Sequence, residues 1–269
     1  MKDKKILIIS SEVVPYLPQT EQAINSFQIP KAINEHGGQT RIFMPRYGLI
    51  NERRHQLHEV IRLSGMNLVI NDMDMPLIIK VASIPKERMQ VYFIDNDEYF
   101  KRKAIFSDED DQLFSDNDER AIFFAKGVVE TVKKLNWAPD IIHVHGWMAS
   151  LLPLYIKEYY SEEPLFSESK IVTSVYDKDF DGSLNTDLAE KIKFDKISDE
   201  KINILKEPNY TNIIKSAVSN SDAIVKGSKQ IPDEIEEEIM KNDIPALSFQ
   251  EEDSFESYLN FYEELISEE

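Results

Sequence analysis

A doubly wound, mainly parallel α/β sheet, carrying an antiparallel strand insertion and finished by a C-terminal amphipathic helix, is the architecture this sequence predicts. Short apolar runs at 6–9, 41–44, 141–144, 171–175, 223–225 and 246–249 alternate with helical patterns at 21–35, 118–135, 148–160, 210–219 and 233–241. Alternation of this kind marks buried parallel strands joined by crossover helices. It fails over 57–94, where HEVIRLS, MNLVI, PLIIKVASI and MQVYFID read as consecutive strands, the pattern of an antiparallel meander. The expected division is one domain over 1–250 and a closing helix over 251–269, in which Phe255, Leu259, Phe261, Tyr262 and Leu265 share one face.

The totals narrow the function classes. A chain of 269 residues buries roughly 75% of its extended surface on folding, so a sizeable core forms without staples. With no cysteine there is no disulfide, thiolate zinc site or cysteine nucleophile, which fits a reducing cytoplasm. The net charge of −18 argues against nucleic acid, whose affinity comes from lysine and arginine on phosphates. No run approaches the ~20 apolar residues of a membrane span, and MKDKKILIIS reads as a mature first strand with no signal peptide.

The loops after the strands carry the candidate chemistry. SSEVVPYLPQTEQAINS, residues 10–26, sits where a strand runs into a helix, the usual place for a phosphate. It has no glycine; it has Pro15, Pro18 and an acid, Glu21. Arg46, closing the second strand, suits either a phosphate or one of the many acids. Asp95 and Asp97 form an Asp-x-Asp pair, readable as a divalent-metal holder or as a turn. The acidic run 108–111 lacks the glycine and terminal Glu of a calcium hand and reads as a solvated, mobile loop.

PDIIHVHGWMASLLPLY, residues 139–155, is the most informative stretch. His143 and His145 stand two apart on one side of a strand that ends at Gly146 and Trp147. The imidazoles either line a ligand crevice or bond loop carbonyls, and no third ligand for a metal is evident. Trp147 is either a flat wall of that crevice or core. No P-loop, Gly-x-Ser-x-Gly elbow or His-Glu-x-x-His helix occurs, and no cofactor is called for.

Read in order, ILIISSEVVPY, PKAINEHGGQTRIFMPRYG, DNDERAIFFAKGVVE and PDIIHVHGW resemble the N-terminal half of bacterial starch and glycogen synthases, glycosyltransferase family 5, over roughly residues 1–230. The resemblance implies a Rossmann-like half of a two-domain enzyme that transfers glucose from ADP-glucose to an α-1,4-glucan with retention. It implies that this half holds the acceptor and the other half most of the donor.

Three ligand-facing loops depart from the family pattern. Where the family has Lys-Thr-Gly-Gly, this chain has Pro18, Gln19, Thr20 and Glu21; the Asp of His-x-His-Asp-Trp is Gly146; and the Thr-Ile-His-Asn strand end is Ser174, Val175, Tyr176 and Asp177. The stretch after Ser228, about 40 residues, is too short for a second domain of roughly 100 residues. Two readings follow: a family member that is not catalytic alone, or a non-catalytic regulatory module binding a glucan or a protein. The expected ligand site is a crevice of Glu12, His143, His145, Trp147, Tyr176 and Asp177, suited to a sugar ring. An unrelated receiver domain would need an acidic pocket after the first strand, for which Glu12 is the one candidate.

Overall fold

The computed structural model describes residues 1–87, 89–251 and 255–267. In chain order the elements are β1 (Lys5–Ser10), α1 (Glu21–Glu35), β2 (Gln39–Pro45), α2 (Glu52–His55), β3 (His58–Glu59), β4 (Met66–Ile70), β5 (Met73–Ser83), β6 (Gln90–Asp95), α3 (Asp97–Phe100), α4 (Asn117–Leu135) and β7 (Ile141–His145). There follow α5 (Leu152–Leu154), β8 (Lys170–Val175), α6 (Leu188–Lys193), α7 (Asp199–Ile202), α8 (Tyr210–Ser219), β9 (Ala223–Lys226), α9 (Asp233–Asn242), β10 (Ala246–Leu247) and α10 (Phe255–Ser267). Among the described residues the strands form one sheet in the order β10-β9-β8-β7-β1-β2-β6-β5-β3, with β4 paired to β5.

The strands β10 to β6 in this order are parallel throughout. Five of the six residues of β1 and all five of β7 are buried, as a strand covered on both faces requires. β5 is antiparallel to β3, β4 and β6. From Met75 to Ile79 its buried and more exposed residues alternate, the mark of a strand with one face toward water. The expected insertion is therefore present, with two differences. HEVIRLS contributes only His58–Glu59 to the sheet, because the chain turns back at Val60–Ser64 through bonds to the Val60 carbonyl. β6 belongs to both regimes, antiparallel to β5 and parallel to β2.

The helix expected over 148–160 is broken. Trp147–Ala149 is a 3₁₀ turn, α5 spans three residues, and Tyr155–Tyr159 is a π turn. Pro153 supplies no N–H to this stretch. The acidic segment stays solvated, and Asp108 closes it by accepting the amides of Asp110 and Gln112. None of the described helices is long and apolar enough to cross a membrane.

Winding direction decides which face each helix covers. The β1-to-β2 crossover runs one way along the sheet, and β6 to β7, β8, β9 and β10 runs the other. With right-handed crossovers this puts α1 on one face and α4, α5, α8 and α9 on the opposite one. Packing agrees: α4 meets α5, α5 meets α8, α8 meets α9, and α1 meets α10. α10 thus covers the part of the α1 face that no crossover reaches, and it buries Tyr258, Leu259, Phe261, Tyr262 and Leu265 there.

Candidate functional site: a strand-switch crevice filled from within

The direction of winding reverses between β1 and β7, and open α/β sheets bind ligands at such a switch point, beyond the strand carboxyl ends. Ser10 pairs in register with His145, and His145 with Ser174. The strand ends bearing Glu12, His143, His145, Tyr176 and Asp177 are therefore neighbours.

The crevice between them is filled by α1. Gln22 is buried, and its amide Nε2 lies 2.7 Å from Ser11 Oγ, 3.1 Å from Ser10 Oγ and 3.3 Å from the His145 carbonyl oxygen. Ser26 donates to Ser10 Oγ at 2.8 Å from the next turn of the helix. Gly146 makes this possible. Its φ of +78° and ψ of 164° lie in a region open essentially to glycine alone. A Cβ at this position would come within 2.3 Å of Gln22 Oε1, so an aspartate there would evict the glutamine.

The rings of His143 and His145 pack against each other at a centroid distance of 3.9 Å, tilted by 40°. Both are fully buried. His143 Nε2 is 2.7 Å from Ser174 Oγ, and its Nδ1 is 2.5 Å from the Tyr262 hydroxyl on α10. His145 Nδ1 is 2.8 Å from the Tyr176 hydroxyl, while its Nε2 has no protein partner. Burial pushes the His145 pKa down to about 3, and burial followed by the neighbouring His145 holds His143 well below its ordinary value. The pair is neutral at pH 7, each ring with one donor and one acceptor nitrogen.

The unfolded chain takes up these two protons near pH 6.5 and the folded chain does not, so the pair's contribution to stability is complete above that pH and falls as pH drops toward 3. The ring ¹H and ¹³C shifts of His143 and His145 are expected to stay constant from pH 8 to pH 5. Titration of either ring near pH 6.5 would contradict this environment.

Trp147 is 1% exposed, with its ring against Phe106 and Phe180 at centroid distances of 5.6 and 5.1 Å, and so sits in the core. Tyr176 is 4% exposed. Its ring leaves no room at Gly227, where a Cβ would meet it at 2.5 Å. Tyr210, from α8, donates to the carbonyls of Tyr176 and Asp177 at 3.1 and 2.9 Å. Asp177 stays exposed and accepts the Lys178 amide.

The start of α1 is closed in the same manner. Thr20 is its N-cap, accepting the Ala23 amide at 3.0 Å and donating to Glu12 Oε2 at 2.8 Å. Glu21 accepts a bond from Ser228 on the loop after β9. Burial raises the Glu12 carboxyl and the Thr20 bond partly offsets it. Pro18 and Gln19 are exposed on the loop. The helix end that would attract a phosphate thus faces two carboxylates of its own chain.

Arg46 meets acids: Asp95 at 2.9 Å, Asp97 at 3.2 Å and Glu52 at 3.4 Å. Lys80 joins the network through Glu52 and Asp95 at 2.7 and 3.0 Å. The Asp-x-Asp pair is therefore engaged by a guanidinium. Among the described residues no cluster of three or more His, Asp or Glu is placed to hold a metal.

Sequence reading missed Gln22 and Tyr262 as partners of the crevice. The one signal that bears on Gln22 is distant in sequence, the glycine at 146 that leaves room for it, and nothing local pairs Tyr262 with His143 across 119 positions.

Residues 5–247 match the family described as the starch synthase catalytic domain. A protein named glycogen synthase from Chlorobium luteolum is 34% identical over 253 residues, covering 93% of this chain and 50% of that protein. Its counterpart from Chlorobium limicola is 35% identical over 232 residues, covering 86% and 47%. The chain thus spans about half the length of the curated relatives it matches. Among solved structures, the catalytic domain of starch synthase IV from Arabidopsis thaliana, bound to ADP and acarbose, superposes with a TM-score of 0.73 at 14% identity over 92% of this chain and 51% of that one, a likeness of fold. With the matched family spanning nearly the whole sheet, and relatives above 30% identity over most of the chain, this protein belongs to the starch and glycogen synthase family and corresponds to its N-terminal half.

Proposed function

We propose that this chain is a glucan-holding half of the glycogen synthase type that does not transfer glucose from ADP-glucose on its own. The observation that carries the reading is Gln22, whose amide occupies the switch-point crevice with bonds to both bordering strands. Two further features support it. Pro18 offers no ammonium to a diphosphate, and Glu12 and Glu21 face the helix end where one would sit. Stabilising the charge that develops on a leaving diphosphate requires preorganised donors, and this loop presents acceptors. The glucan part of the reading rests on the curated relatives, which are named glycogen synthases and share half their length with this chain.

Titration with ADP-glucose to millimolar concentration is expected to give no heat beyond dilution. Radiolabelled glucose is expected to stay out of glycogen. Incorporation above a heat-killed control would overturn the non-transferring reading.

A further inference from the structure

The crevice expected from the sequence is filled, yet the same face of the sheet carries an open groove. It runs along the flank of α1, between the loop after β1 and the loop at 84–87, with a volume of about 610 Å³. Ligand pockets of ~300–1,000 Å³ are typical for small molecules. Pro15, Phe27 and Pro85 give it apolar walls, and Gln19, Gln28 and Glu87 supply polar edges.

We propose that this groove, and not the strand-end crevice, is where the chain holds an α-1,4-glucan. The inference rests on the glucan-holding reading above and locates its site. Three observations support it. First, the crevice is closed over most of its polar groups: Gln22 bridges its two strands, Tyr262 and Ser174 engage both nitrogens of His143, and Tyr176 engages one nitrogen of His145, whose buried Nε2 is the one atom of these groups left without a protein partner. Second, the groove is electrically balanced. Glu87 is paired with Lys31 on α1 at 3.3 Å, and none of the described lining residues is basic. In a chain of net charge −18, an anionic sugar nucleotide would meet no basic side chain among the described lining residues, and Lys31 beside them is already held by Glu87, whereas a neutral ligand pays no Coulombic penalty. Third, the lining matches a sugar polymer. The C–H faces of pyranose rings suit the half-buried Phe27 ring and the two prolines, and the hydroxyls find the Gln19 and Gln28 amides, which both donate and accept, beside the Glu87 carboxylate, which accepts.

The test is a titration of ¹⁵N-labelled protein with maltoheptaose, with cellohexaose as the β-linked comparison. The amides of Phe27, Gln28 and Glu87 are expected to shift saturably at millimolar maltoheptaose, while those of Glu12, His145 and Tyr176 stay in place. Gln28→Trp, which fills the groove from a half-exposed helix position, is expected to weaken binding at least tenfold. Gln19→Trp on the loop lip should do the same, so the test survives a misfolded helix variant. Shifts confined to Glu12, His145 and Tyr176 would overturn the groove while leaving glucan binding intact. Absence of any shift with maltoheptaose would overturn glucan binding and the groove together. An equal response to cellohexaose would overturn the α-linked assignment, and wild-type binding by both tryptophan variants would overturn the location.

Discussion

Asp195→Ala is expected to lower the unfolding free energy by about 3–5 kcal/mol, the usual cost of removing one partner of a buried ion pair. Lys126, on α4, places its ammonium 2.6 Å from Asp195 and 2.7 Å from the Val69 carbonyl, over the face of Tyr159. Its side chain is 4% exposed and that of Asp195 is 7%. Tyr155 donates to the other carboxylate oxygen at 2.7 Å. Without Asp195 the ammonium has no anionic partner in that group, and the Tyr155 hydroxyl loses its acceptor. The same reasoning makes Lys126→Met with Asp195→Leu far milder than Asp195→Ala, since no charge remains to be solvated. That double change still strands Val69 O and Tyr155 OH, at roughly 1–3 kcal/mol each, so recovery is incomplete. Urea unfolding followed by circular dichroism measures all three proteins. A double variant as unstable as Asp195→Ala would show that cavity formation, and not the stranded charge, sets the cost.

Tyr262→Ala is expected to cost about 3–5 kcal/mol, as large aromatic truncations in cores do, and Tyr262→Phe about 1–3 kcal/mol, the cost of one buried polar atom left unpaired. Tyr262 is fully buried, and its hydroxyl meets His143 in the middle of β7. The phenylalanine variant keeps the ring and removes only that bond, so the difference between the two variants separates packing from hydrogen bonding. Denaturant midpoints of the two variants provide the check. If Tyr262→Ala lost less than 1 kcal/mol, α10 would not be part of the cooperative core.

The strands of this fold were legible because their apolar runs are short and uninterrupted: IIHVH is buried at every position. The antiparallel region showed itself for a different reason: over 57–94 strand patterns follow one another with no helical pattern between them. What the residues could not reveal was pairing. β6 lies against β2 as well as β5, and nothing in QVYFID distinguishes those neighbours. The short helices α6 and α7 escaped notice because LAEKIK and DEKI carry too few apolar residues to set a period. The convergence of three strand ends followed from parallel winding, but their occupancy did not. A glutamine amide closes the crevice through contacts to a strand 123 positions away, and a lone glutamine in a helix gives no local sign of that. Trp147 had an open choice between crevice and core, and its rings of contact, Phe106 and Phe180, lie far from it in sequence on either side.

The coverage of the sheet by α10 has a consequence for how the chain is made. Every strand from β1 to β10 leaves the ribosome before residue 255 does, and bacterial and eukaryotic synthesis adds only ~5–20 residues per second. Throughout that interval the β7 face that Tyr262 seals, His143 included, stands uncovered. Contacts this distant in sequence close last, since loop entropy must be overcome before they form. The nascent protein therefore passes through a stage with a nearly complete sheet and an open apolar flank, the kind of surface that chaperones hold.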